Sequence, residues 1–242
     1  MKHPFALCMA LALAVAAPVF AQAPSTGGER TVEESYLQGY LETMIIQEQA
    51  HGETKDSKLV ALQYIRQAVE EGRTSVEIQA ALEFLATEGT FTVVRSGGYG
   101  IALNNFPDVR REAAFLLGSF KTPEAKDVLL KVALADAEPM VIAAAIRSMG
   151  EIGIIEGDDV TQAISFIISR FDILMPDNSL AFEALVALEL LADANKGLTD
   201  PSAIRAIIRI ADGNYIKPVK DKARQLLDKL RKYAASSAAS GK

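Results

Sequence analysis

The chain has 242 residues, of which 50% are apolar, 23% charged and 7% aromatic, with no Trp and a net charge of −6. That apolar content excludes a disordered chain and supplies a core for one domain or a short repeat array. One Cys and two His are too few for a Cys-rich zinc site, an iron–sulfur cluster or a disulfide scaffold.

Behind Lys2, the 13 residues from Phe5 to Ala17 are all apolar. A bilayer-spanning helix needs about 20 such residues, so the run fits the core of a secretory signal peptide instead. Pro18 ends it, and Val19-Phe20-Ala21 places small residues where a signal peptidase reads them. Residues 1–21 are thus expected to be removed, with cleavage after Ala23 as the second choice. Cys8 precedes the apolar core, the wrong order for a lipid-modified cysteine. Cleavage leaves a thiol-free, soluble chain suited to an oxidising bacterial periplasm or to secretion.

Residues 22–30 form a polar Pro/Ser/Gly linker. Thr31-Val32-Glu33-Glu34 then has the capping-box spacing of a helix start. Tyr36, Leu37, Tyr40, Leu41, Met44 and Ile45 follow at helical steps, which predicts a helix to residue 49 with this stripe facing inward. His51-Gly52-Glu53 breaks it. A second helix is expected over 57–71 with Leu59, Leu62, Ile65 and Val69 inward, stopped by Gly72. A third starts near Ser75, turns Ile78, Leu82 and Leu85 inward, and ends near Gly89. These helices make up an N-terminal unit over 31–89.

A repeat begins at Pro107. Val109, Ala113, Leu117 and Phe120 stand at steps of four, four and three. The same steps recur at Val141, Ala145, Met149 and Ile152, at Leu180, Ala184, Leu188 and Leu191, and at Val219, Ala223, Leu227 and Leu230. The second position is Ala each time, a small side chain that lets a neighbouring helix approach closely. One further amphipathic helix lies between successive sets, over 124–134, 159–171 and 201–211. Each unit is a helix pair that cannot bury its stripe alone, so the pairs are expected to stack over residues 107–233. Residues 234–242 are expected to be a disordered tail.

Pro107-Asp108-Val109-Arg110-Arg111-Glu112-Ala113-Ala114, then Leu117-Gly118, then Pro139-Met140-Val141 through Ala145 and Met149-Gly150-Glu151-Ile152-Gly153, resembles HEAT repeats of the short kind first described around phycobilin lyases. Later sets depart from the pattern: Glu189 and Asp228 stand where Gly118 and Gly150 stand earlier. The resemblance implies an all-α, right-handed α-α superhelix, a HEAT/armadillo-like solenoid whose second helices line a concave binding face. It does not imply a reaction.

The residues give catalysis little to work with. His51 lies in a polar turn, away from any evident nucleophile. The adjacent His-Glu pairs of HEAT-type di-iron hydroxylases are absent. Asp158-Asp159 and Asp177-Asn178-Ser179 read as helix caps. No catalytic, cofactor-binding or metal-binding residues are assigned.

The stretch from Thr87 to Phe106 is the departure from the pattern, a long connection where helix pairs need only a few residues. Phe91, Val93 and Arg95 alternate with Thr92 and Val94, which suggests a short extended piece. Arg95-Ser96-Gly97-Gly98-Tyr99-Gly100 then reads as a turn without the Lys-Ser/Thr of a phosphate loop. Phe91, Arg95 and Tyr99 are candidate partner contacts. On later helices Lys131, Ser165, Ser169, Arg205 and Arg209 fall off the apolar stripes, and Lys131, Arg205 and Arg209 join the candidates.

Charge is unevenly spread. From Glu29 to Gly89 there are 12 acids and 5 bases, from Thr90 to Asp200 16 acids and 9 bases, and from Pro201 to Lys232 9 bases and 3 acids. The basic end suits an acidic partner, anionic lipid or another copy's acidic end. The acidic whole argues against nucleic acid. The reading that follows is a non-catalytic envelope scaffold that binds a protein through a concave face and the long loop. The alternatives are an enzyme or enzyme subunit related to bilin lyases, and a membrane-surface or cell-wall adaptor acting through the basic C-terminal helix.

Overall fold

A computed structural model describes residues 31–97, 100–172 and 176–240. The expected signal peptide and linker lie outside the described residues. Among those described, ten α-helices run in chain order: α1 (Val32–His51), α2 (Lys55–Glu70), α3 (Val76–Thr87), α4 (Pro107–Leu117), α5 (Pro123–Ala135), α6 (Pro139–Ile152), α7 (Asp159–Phe171), α8 (Asn178–Asn195), α9 (Pro201–Asp212) and α10 (Lys217–Ser240). Among the described residues there are no strands, only two isolated bridges between α3 and α4. No described helix is long and apolar enough to cross a membrane.

The ends of the helices follow from local chemistry. Thr31 and Glu34 form the predicted capping box, each side chain accepting from the other's backbone N–H at 3.2 Å. Thr54, Ser75, Thr122, Asp177 and Asp200 cap the following helices through their side chains. Pro occupies the first turn of α4, α5, α6 and α9, where a missing N–H costs nothing. The Asp158-Asp159 cap holds at Asp159, whose carboxylate accepts from the Val160 N–H of the first turn at 2.8 Å, and is corrected at Asp158. Asp158 has a left-handed backbone and makes no capping bond, while Asp159 accepts from Lys126 of α5 at 2.6 Å.

Helices pack as antiparallel pairs, and corresponding members stack on one another. α2, α4, α6, α8 and α10 form one layer, and α1, α3, α5, α7 and α9 the other. The four predicted stripes face the seam between layers. Ala113, Ala145, Ala184 and Ala223 are fully buried, as are Leu117, Met149 and Leu188. Small residues bring the first layer close. A side chain on Gly118 would meet Ser148 at 2.9 Å, and one on Gly150 would meet the backbone of Ala187 at 2.6 Å. The core runs unbroken from Ile46 to Leu226, so the protein is an all-α solenoid.

Two expectations need correction. The α1 stripe does not face inward: Tyr36 is 78% exposed and Leu37 60%, and Tyr40, Leu41, Met44 and Ile45 are also exposed, whereas Ile46 and Ala50 are buried. Periodicity marks an apolar face, but α1 is the first helix described and no described helix lies beyond it. Leu59 is likewise exposed. At the other end, the tail expected from residue 234 continues α10 to Ser240. Ala234-Ala235 and Ala238-Ala239 favour helix and carry no breaker.

Candidate partner-binding site

The long connection is a small β-like hairpin. Leu103 N–H donates to Val94 O at 2.8 Å and Ser96 N–H to Ile101 O at 3.3 Å, and Arg95 bridges to Ala102. The expected extended piece is thus present, and Ile101-Ala102-Leu103 supplies a return arm, bridged only at Ala102, that the sequence does not announce. Gly97 takes a left-handed φ of 60° at the turn.

Asn104 staples the hairpin internally. Its Oδ1 accepts from Val94 N–H at 2.9 Å, and its Nδ2 donates to Thr92 O at 2.7 Å. Two buried ion pairs then fix the base. The fully buried Lys58 Nζ lies 2.6 Å from Glu88 Oε2, donates to Ala50 O at 3.1 Å, and sits over the Phe84 ring at 5.3 Å. On the other side, Arg110 Nε donates to Asp136 Oδ2 at 2.7 Å and Nη1 to Asn105 Oδ1 at 2.8 Å, while Thr90 also donates to Asp136. The loop is therefore anchored to the pairs on both sides of it. Its outer surface stays in water: Ile101 is 84% exposed, and Phe91, Val94 and Leu103 are each about half exposed.

Of the predicted contacts here, Phe91 is exposed and available. Arg95 is exposed but donates to Gly100 O at 3.2 Å, so it also holds the turn. Tyr99 lies outside the described residues. The hidden anchors Lys58, Asn104, Arg110 and Asp136 were missed. A lysine or arginine on a helix ordinarily reaches solvent, and only the partner's position reveals a buried pair.

A second site lies between α7 and α9. Gln162, Ser165, Phe166, Ser169, Ser202, Arg205 and Arg209 line a cleft of about 330 Å³. The structure thus brings together Ser165, Ser169, Arg205 and Arg209, which the sequence placed off the stripes. Lys131, on α5, is exposed but does not line the cleft. Arg209 donates to Ser169 Oγ at 3.0 Å. Ser165 and Ser169 donate their protons to backbone carbonyls four residues back, at 2.7 and 2.9 Å, and no His or Lys lines the cleft to activate them. Burial pushes the Asp200 carboxyl up, but its bonds from Ser202 outweigh that and hold it below the usual range. The cleft offers hydroxyl and guanidinium groups for polar anchoring.

His51 is also accounted for structurally. Its ring stacks on Phe84 at 4.3 Å, and Nδ1 lies 2.9 Å from Gln47 O. Among the described residues, no three His, Cys, Asp or Glu side chains gather as metal ligands do.

The basic C-terminal helix is partly neutralised within the chain. Lys222 bonds Glu189, and Lys229 lies 3.2 Å from Glu189 and 2.6 Å from Asp193. Burial pushes the Glu189 carboxyl up, and the hydrogen bonds from Lys222 and Lys229 outweigh it. The same balance, with Lys229 and Tyr233 donating, holds Asp193 below the usual range. Glu189, which replaces the small glycine of earlier repeats, thus trades close packing for an ion-pair cluster.

Stacked helix pairs with an unbroken seam and a tethered hairpin define an α-solenoid. A family model for HEAT repeats matches residues 101–172, which span α4 to α7, so this segment is built of HEAT repeats. HEAT repeats generally serve protein–protein interaction. No curated protein and no solved structure matches the chain.

Proposed function

We propose that this HEAT-repeat chain is a non-catalytic scaffold of the bacterial envelope that binds a protein partner through the hairpin over 88–106, with the α7/α9 cleft as a second contact. The observation that carries this reading is the hairpin itself. Its base is fixed by two buried ion pairs, while Phe91, Val94, Ile101 and Leu103 stand in water. An apolar patch held this firmly favours association, because the surface needs no ordering when a partner arrives. The envelope location rests on the 13-residue apolar run after Lys2.

The test is affinity capture from an extract of the native envelope, comparing the wild-type chain, a Phe91→Glu/Ile101→Glu variant and Arg205→Glu. Both hairpin positions are exposed, so the fold should survive, as a melting curve checks. A captured protein should fall at least tenfold on the hairpin variant and less on Arg205→Glu. Equal capture by the hairpin variant overturns the reading. Export has its own test: sequencing the N-terminus of the protein from native cells should begin at Gln22 or Pro24, and an intact Met1 in the cytoplasm rejects it.

A further inference from the structure

Every internal face of the solenoid is covered by the next helix pair, but its two described ends are not. At one end α1 presents Tyr36, Leu37, Tyr40, Leu41 and Met44, all more than half exposed. At the other, α9, α10, the α8–α9 loop and the α6–α7 connection enclose a groove of about 740 Å³ whose apolar lining includes Ile155, Leu198, Ile204, Ile208, Leu227 and Leu230. Terminal repeats of a solenoid normally turn a polar face to water. Here one end is a projecting apolar helix and the other an apolar slot.

We infer that α1 of one copy docks in the C-terminal groove of a second copy, so that the chain assembles head to tail. The shapes correspond: a helix offers residues at steps of three and four, and the slot has room for about four side chains of Leu or Tyr size. The area is adequate, since the exposed α1 side chains present roughly 700 Å², close to what one partner contributes to a standard interface.

Charge selects this occupant over the obvious alternative. α1 carries Glu33, Glu34, Glu42 and Glu48 and no Lys or Arg, and of these Glu42 is paired with Arg73 of the α2–α3 loop. Two α1 helices face to face would set like charges against one another. The groove offers the opposite sign: Lys196 and Arg231 line it, Arg231 being shared with the exposed Asp228 at 2.9 Å. Because the contact joins unlike surfaces, it is heterologous and does not close at a dimer.

The test uses the full chain and two variants, each altered at one end on exposed residues: Leu37→Glu/Leu41→Glu on α1, and Ile208→Glu in the groove. Sedimentation equilibrium of the wild type should give a mass that rises with concentration beyond the 26.0 kDa monomer and falls back as salt is added. Each variant alone should remain monomeric. Mixed in equal amounts they should form a 1:1 dimer and nothing larger, because only one intact helix and one intact groove remain. Should Leu37→Glu/Leu41→Glu lose helicity by circular dichroism, Tyr36→Glu, at the most exposed position, replaces it. A wild type that stays monomeric up to about 1 mM, a groove variant that still dimerises, association that persists in both variants alone, or a mixture that stays monomeric each overturns the inference.

Discussion

Gly150 lies within α6, where the backbone of Ala187 on α8 leaves no room for a side chain. Gly39 also lies within a helix, α1, but nothing stands within 4 Å of where its side chain would be. The two should respond oppositely to the same change. Gly150→Ala forces the closely packed layer apart and should cost about 1–3 kcal/mol, the usual range for overpacking. Gly39→Ala lowers the entropy of the unfolded chain in an open position and should stabilise by about 0.5–1 kcal/mol. Paired urea titrations measure both. Equal shifts would mean that helix propensity, not interhelical distance, sets the outcome at Gly150.

At the level of elements, the hairpin is the part whose order depends on few contacts. Asn104 holds both of its arms, so Asn104→Ala should speed hydrogen exchange at the Leu103 amide by tenfold or more while leaving exchange in the α6 core nearly unchanged. Uniformly faster exchange across α6 would show that the hairpin is part of the global folding unit. The helices were legible in the sequence because Ala113, Ala145, Ala184 and Ala223 recur in register and their caps are chemically explicit. The hairpin was legible only in half. Phe91 to Arg95 alternate visibly, but the return arm is three residues long, too short for periodicity to register. The buried ion pairs were illegible because Lys58 and Glu88 are thirty residues apart, and nothing local distinguishes Lys58 from a surface lysine. The stripe of α1 was legible as apolar, yet periodicity carries no information about whether a neighbour covers it.

Across the whole molecule, the middle of the stack and its C-terminal end are held differently. Gly118 and Gly150 let α4, α6 and α8 approach closely, with Arg147 of α6 also reaching Glu183 of α8 at 3.1 Å, whereas α10 adds to its buried Val219, Ala223 and Leu226 a denser cluster in which Lys222 and Lys229 act on Glu189 and Asp193. Both carboxyls lie below their usual range when folded. Groups with depressed folded values contribute stability above the unfolded values, about 4 for Asp and Glu, and lose it as pH falls through the folded ones. Acid should therefore release α10 before the middle of the stack. As pH falls below the unfolded values of about 4, exchange protection in α10 should drop ahead of that in α6, and simultaneous loss would contradict this ordering. The two-layer arrangement has a consequence for how such a chain changes length. Each helix pair touches only the pairs that flank it, so an in-frame duplication of one pair's coding segment would extend the rod while preserving the chemistry of its existing joints. Genetic copying can thus lengthen this molecule stepwise, without any redesign of its interior.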